Sequence, residues 1–226
     1  MTVKAIRTLE KCDVIVGYTV YIELLKEHFP DKRYLTTSMR QEAERCRMAF
    51  EEAKKGAVTA MVCSGDAGIY GMAGLMYEIG EEYPEVAIEV IPGVTAALGG
   101  SAVLGAAVGH DVSLISLSDL LTPWELIEER LRCAAKADFV ICLYNPSSRK
   151  RSTYLAKACE LILEYKSEDT VCGIVKNIAR EGEQMQTLTL KELKETTVDM
   201  FSTVFIGNKQ TKVIREKMVT PRGYRI

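Results

Sequence analysis

The chain has 226 residues, with 29 Lys plus Arg against 31 Asp plus Glu and a formal net charge of −2. A hydrophobic content of 47% supports a real core in one large domain or two of moderate size. The balanced charge excludes the broad basic field that draws nucleic acid. Seven cysteines, at 12, 46, 63, 133, 142, 159 and 172, form no C-x-x-C pair. Cys63, Cys142 and Cys172 lie inside apolar runs, which points to reduced core thiols and a cytoplasmic setting.

Met1 leads straight into an amphipathic segment carrying Lys4, Arg7, Glu10 and Lys11, so no signal peptide is expected. The uncharged stretch from Val90 to Gly109 is long enough for a membrane span. Pro92, five glycines and many alanines within it favour a close-packed buried helix instead, and no membrane partner is expected.

In chain order, residues 2–11 read as a helix and Asp13 to Tyr18 as a strand. Residues 38–55 have helical character, with Ser38 as a cap. Val58 to Ser64 is an apolar strand followed at once by glycines at 65, 68, 71 and 74. That spacing matches neither G-x-G-x-x-G nor the Walker pattern, and Asp66 would repel a phosphate. An acid there suits a ligand with hydroxyls or positive charge. Equally, Asp66 could cap the following helix, 72–79. Val86 to Ile91 reads as another strand, closed by Pro92-Gly93-Val94-Thr95-Ala96, and a helix over 95–107 follows. This βαβα alternation predicts a mostly parallel sheet.

The pattern restarts after Gly109-His110-Asp111, which places a domain boundary near 111–113: residues 1–111, then 112–226. Val112 to Leu117 is a strand. Thr122-Pro123-Trp124-Glu125 has the form of a capped helix start. Phe139 to Tyr144 is a strand and 149–165 a helix. Thr170 to Val175, Thr187 to Thr189 and Ser202 to Gly207 are further strands.

Loops that follow strands at 64–71, 92–96, 144–148 and 176–183 are candidate ligand loops, because open α/β sheets bind at strand carboxyl ends. If Ser147 caps the 149–165 helix, then Arg149, Lys150 and Arg151 crowd its first turn against the macrodipole. A polyanionic ligand would offset that; a solvated basic turn is the alternative. His110 beside Asp111 is either structural or an acid/base pair, while His28 beside Phe29-Pro30 reads as surface. Two separated histidines and scattered cysteines show no metal-ligand spacing. Gly99-Gly100-Ser101-Ala102-Val103 fails the G-x-S-x-G nucleophile elbow at its last position.

Ser64-Gly65-Asp66-Ala67-Gly68-Ile69-Tyr70-Gly71, Ile91-Pro92-Gly93-Val94-Thr95-Ala96 and Phe205-Ile206-Gly207-Asn208 together resemble the tetrapyrrole (corrin/porphyrin) methylase family across nearly the whole chain. Gly109-His110-Asp111, Ile115 to Trp124, Leu143 to Ser148, Arg180-Glu181-Gly182-Glu183 and Thr220 to Tyr224 resemble its precorrin-3B C17-methyltransferase branch, the cobalt-factor III type included. The resemblance implies two α/β domains with the active site in the cleft between them, S-adenosylmethionine as cofactor, a tetrapyrrole substrate and a homodimer. By position it assigns Gly65, Asp66, Ile69, Tyr70, Thr95, Ala96, Tyr144, Asn145, Ile178 and Ala179 to the cofactor. Ser147, Arg149, Lys150, Arg151 and Arg180 are candidates for the substrate's peripheral carboxylates. His110 is the candidate acid/base of ring contraction, with Asp111 or Asp119 orienting it or the substrate.

The family also opens with a strand and a G-x-G-P-G loop before the stretch that here begins Met1-Thr2-Val3. That element and part of the ligand wall are therefore expected to be missing. Rival readings are a sister methylase acting at another ring carbon, a diphthamide-type methylase, and a non-catalytic tetrapyrrole or nucleoside binder.

Overall fold

The chain enters its first helix, α1 (Val3–Lys11), through Thr2, whose hydroxyl accepts the Ala5 amide at 3.1 Å, as a good N-cap does. The same hydroxyl donates to the Pro92 carbonyl at 3.0 Å. The structure is a computed structural model that describes residues 1–148 and 150–225. It divides into two units, Met1–Thr95 and Ala96–Ile226.

In the first unit β1 (Val14–Tyr18) lies between β2 (Arg33–Thr37) and β3 (Thr59–Val62), all parallel. Helices α2 (Thr19–Lys26) and α3 (Glu42–Lys54) supply the crossovers that parallel strands need, and α4 (Ala73–Gly80) follows β3. Ile15 packs with Leu9, Ile22 and Phe29, whereas Val14 and Val16 pack with Ala49. Both faces of β1 are thus covered, so its apolar run is continuous rather than alternating.

β3 is the edge of this sheet, and every residue in it is half-exposed. The expected strand at 86–91 does not form. Among the described residues its backbone pairs with no neighbouring strand, and an apolar run without a ladder partner stays an extended loop. A groove of about 570 Å³ is lined by Ala57 to Met61, at and just before the start of β3, and by Glu85 to Ile91, together with Cys12, Phe50 and Met76.

The second unit starts with α5 (Ala96–Leu104) and β4 (Gly105–Ala106). Ala97, Gly100, Ser101 and Leu104 are buried, the spacing of one helix face. A Cβ on Gly100 would stand 2.7 Å from the Phe205 ring. Close packing on this unit explains why α5 belongs to it, although it precedes the boundary expected at 111–113. Next come β5 (Val112–Ser116), α6 (Trp124–Lys136), β6 (Val140–Tyr144), α7 (Tyr154–Leu163), β7 (Val171–Lys176), β8 (Gln184–Thr189), α8 (Leu190–Lys194) and β9 (Ser202–Ile206). They build a sheet of order β5-β6-β9-β7-β8, parallel only at β5/β6. β10 (Lys212–Ile214) and β11 (Lys217–Val219) join β4 in a small second sheet. No helix among the described residues is long and apolar enough to cross a membrane.

Three expected helix starts shift. α3 begins at Glu42 without a side-chain cap, because the Ser38 hydroxyl donates to Gln41 Oε1 instead. α6 begins at Trp124 with Pro123, not Thr122, at the cap position. α7 begins at Tyr154 with Thr153 at the cap position, so Ser147 is not its cap and Lys150 and Arg151 lie outside the first turn. A hydrogen-bonded turn, Arg151 amide to Ser148 carbonyl at 3.0 Å, occupies that segment. For Lys150 and Arg151 the expected conflict with the macrodipole is absent. Arg149 lies outside the described residues.

Candidate functional site

In the first unit, β3 runs into a loop that Asp66 ties together. Its Oδ1 accepts the amides of Gly68 at 2.8 Å and Ile69 at 3.2 Å, and its Oδ2 accepts the Gly93 amide at 2.8 Å. The Gly93 and Gly68 amides hold the Asp66 carboxyl below the usual carboxylate range. Since α4 starts only at Ala73, Asp66 is not a helix cap; it braces the 64–71 loop to the 92–95 loop. A Cβ on Gly93 would stand 1.9 Å from the Gly65 carbonyl oxygen, so the two loops touch backbone to backbone. Gly65 takes φ +77, which favours glycine. Gly65 and Tyr70 are exposed, Ile69 is half-buried and Thr95 is buried.

In the second unit, Ala96, Tyr144 and Ile178 gather at the start of α5. The Tyr144 hydroxyl accepts the Ala97 amide at 2.9 Å, satisfying one of the free donors of that first turn. A Cβ on Gly99 would stand 2.9 Å from Ile178. Asn145, at φ +52, donates from Nδ2 to Ser116 Oγ at 2.9 Å. Ala179 sits at φ +55 with its amide on Glu183 Oε2 at 2.7 Å. Tyr70, Asn145 and Ala179 all hold left-handed backbone in loops that leave strand carboxyl ends, a strain often stored at functional loops.

His110 and Asp111 are exposed neighbours. The Asp111 amide donates to His110 Nδ1 at 2.8 Å, and Asp111 Oδ2 lies 3.2 Å from the same nitrogen. One nitrogen cannot both accept the amide proton and donate to the carboxylate. The backbone bond is the shorter, and it places the proton of the neutral ring on Nε2. Asp119 is engaged elsewhere: Arg151 Nη1 donates to its Oδ1 at 3.2 Å and the Tyr154 hydroxyl to its Oδ2 at 2.7 Å. Those two bonds, Tyr154 first, hold its carboxyl below the usual range, and Asp119 pushes the Tyr154 hydroxyl up. No bond joins Asp119 to His110 among the described residues.

Of the residues assigned to substrate carboxylates, Ser147 is buried and Lys150 exposed. Arg151 is largely buried with Nη1 committed to Ser118 and Asp119. The Arg180 amide closes a turn onto Asn177 at 2.9 Å. The sequence reading missed Gly93, Ser116 and Tyr154 as partners of assigned residues. The Pro-Gly step at 92–93 was a visible signal for the first; nothing local marks the other two, whose partners are 29 and 35 positions away.

Residues 1–194 match the family model described as Tetrapyrrole (Corrin/Porphyrin) Methylases. The chain is 46% identical over 225 residues to the probable cobalt-factor III C(17)-methyltransferase of Salmonella typhimurium, covering 99% of this chain and 93% of that one. It is 44% identical over 231 residues to the protein of the same description from Methanocaldococcus jannaschii, covering 99% and 92%. Among solved structures it resembles the methyltransferase CobJ at a TM-score of 0.89 and 31% identity, over 98% of this chain and 93% of that one. Loops of this design on this α/β framework, with those likenesses over almost the whole length, establish that the chain belongs to the tetrapyrrole (corrin/porphyrin) methylase family.

Proposed function

We propose that the protein uses S-adenosylmethionine to methylate C17 of a tetrapyrrole, cobalt-factor III or precorrin-3B, with contraction of the ring, in cobalamin biosynthesis. The observation that carries this reading is the acid-braced pair of loops, 64–71 and 92–95. Two backbones pressed together around a carboxylate exclude phosphate and suit a nucleoside or a sulfonium. In the first unit Gly65, Ile69, Tyr70 and Thr95 would hold the cofactor, with Asp66 fixing their loop. In the second unit Ala96, Tyr144, Asn145, Ile178 and Ala179 would do so. The cofactor supplies an electrophilic methyl group.

Methyl transfer to a ring carbon depends on alignment, which contributes ~7–11 kcal/mol in well-oriented reactions. Loops fixed by Asp66 and by the Tyr144 hydroxyl provide it without rearranging. His110 holds the proton used in ring contraction at Nε2, and the Asp111 backbone amide sets that tautomer. Lys150 and Arg180 pair with substrate carboxylates, while Arg151 mainly holds Asp119. The protein is proposed to act in the cytoplasm as a homodimer.

For the first unit we propose that the groove beside β3 has room for a further strand. β3 has an unpaired edge, 86–91 has no ladder, and Thr2 is tied to Pro92 at the end of that segment.

Titration calorimetry with S-adenosylmethionine, then mass spectrometry of cobalt-factor III or precorrin-3B after incubation with it, tests the reading. A product heavier by one methyl group and contracted is expected. Binding without turnover sustains the non-catalytic binder instead, and methylation at another carbon sustains a sister methylase.

A further inference from the structure

Between β5 and α6 the residues 117–123 form a loop with a built base and a bare tip. Leu117 is fully buried and its amide donates to the Tyr144 carbonyl at 2.9 Å. The Ser118 amide donates to Ser116 Oγ at 3.2 Å. Arg151 Nη1 donates to Ser118 Oγ at 2.9 Å and to Asp119, which also takes the Tyr154 hydroxyl. Trp124 closes the far end, its ring centroid 4.3 Å from that of Tyr154. On this clasped base stand Leu120, 65% exposed, and Leu121, 98% exposed.

Two adjacent leucines in water contribute nothing to folding, so a scaffold that fixes them outward presents an apolar contact. Chemistry beside the tip narrows what it meets. The loop that follows β6 supplies Arg151 to the base and carries Lys150 exposed next to it. Both loops leave the carboxyl ends of the parallel pair β5/β6, where open α/β sheets bind ligands. An aliphatic tip, with an exposed cation on the loop of the neighbouring strand, matches a flat macrocycle, apolar on its faces and carboxylate-bearing at its rim.

We propose that Leu120 and Leu121 pack against the macrocycle face of the substrate and set its affinity, with Asp119 as a positioning residue that fixes the loop through Arg151 and Tyr154. This rests on the methyltransferase reading above. Asp119 touches no reacting atom; it acts through the leucines it holds in place.

The experiment is steady-state kinetics with cobalt-factor III on the full chain, comparing wild type with Leu120→Ser/Leu121→Ser and with Leu121→Met. Calorimetry with S-adenosylmethionine and sedimentation velocity accompany each. The double variant should raise KM for the tetrapyrrole by at least about tenfold, with cofactor affinity and subunit number unchanged. Leu121→Met, which keeps the apolar tip, should stay within about twofold of wild type. Asp119→Asn, which weakens the bonds to Arg151 and Tyr154, should raise KM for the tetrapyrrole with cofactor affinity unchanged. An unchanged KM in the double variant overturns the proposal, and so does a change in subunit number, which would make the tip a contact between copies. Failure of the wild-type chain itself to methylate overturns the methyltransferase reading, an outcome distinct from a wild type that turns over with variants equal to it.

Discussion

Asp66 and Gly93, 27 positions apart, are joined by a 2.8 Å bond from the Gly93 amide to the Asp66 carboxylate. The carboxylate also accepts two amides of its own loop, so removing it leaves three donors to find water. Asp66→Ala should lower unfolding free energy by about 1–3 kcal/mol and weaken S-adenosylmethionine binding at least tenfold. Urea denaturation and calorimetry measure the two effects; unchanged cofactor affinity would show that the brace does not serve the ligand.

The same carboxylate carries a pH signature. Its folded pKa lies below the ordinary value, so the stability it contributes is fully present above the unfolded pKa of about 3.9. It is lost as pH falls through the lower folded value. The stability gap between wild type and Asp66→Asn should therefore hold constant from about pH 5 to 7 and narrow only below about pH 4. A gap that already closes between those higher pH values would contradict the assignment.

Gly93→Ala and Gly74→Ala should have opposite signs. At Gly93 an added Cβ meets the Gly65 carbonyl oxygen at 1.9 Å, and backbone cannot step aside cheaply. A loss of about 1–3 kcal/mol is expected, the ordinary cost of overpacking. At Gly74, inside α4, nothing lies within 4 Å of the added atom, and replacing a helical glycine should gain about 0.4–1 kcal/mol. Thermal melts of the two variants against wild type read both signs.

Much of this was legible in the chain because local chemistry decides it. The apolar runs at 14–18, 140–144 and 171–176 became buried strands, and the glycine-punctuated turn after β3 became the loop that Asp66 organises. What escaped depends on distant partners. The 86–91 run has strand composition, but a strand exists only with a neighbour to pair with, and its flank is a groove. Ser147 looks like a cap, yet Arg151 is drawn away to Asp119 across 32 positions, and the helix starts later. Asp66 has the local signature of a ligand contact or a cap; its bond to Gly93 crosses too much sequence for spacing to reveal it.

Tyr144→Phe removes a hydroxyl and keeps the ring. The Tyr144 hydroxyl accepts the Ala97 amide at the start of α5, and phenylalanine fills the same volume without it. Stability should fall by about 0.5–1.5 kcal/mol. If the start of α5 helps to hold the cofactor, affinity for S-adenosylmethionine should fall several-fold as well, while an unaltered affinity would separate this bond from the site.

The groove beside β3 predicts a gain rather than a loss. A chain extended at its start by a six-residue valine- and isoleucine-rich strand and a short glycine linker should pair with the free edge of β3. It should melt at higher temperature and bind less anilinonaphthalene sulfonate than the parent, since half-exposed Ala60, Met61 and Val62 become covered. An extension with lysine at alternate positions, which cannot be buried on both faces, should give neither effect. Equal behaviour of the two extensions would show that the groove takes no strand.

His110 and Asp111 offer a test that separates backbone from side chain. His110 Nδ1 has two neighbours from Asp111: the backbone N–H at 2.8 Å and, as a rival, the carboxylate Oδ2 at 3.2 Å. Asp111→Ala retains the amide and hence the tautomer with its proton on Nε2, so ring contraction should slow by less than about tenfold. His110→Ala removes the group itself and should slow contraction by roughly 10²–10⁴-fold, with S-adenosylmethionine affinity unchanged because His110 is assigned to the proton and not to the cofactor. Single-turnover absorbance, with mass spectrometry to distinguish methylated from contracted product, reads both rates. If Asp111→Ala were as slow as His110→Ala, the carboxylate and not the amide would be the orienting group; if neither variant slowed contraction, the proton would have to travel by another residue.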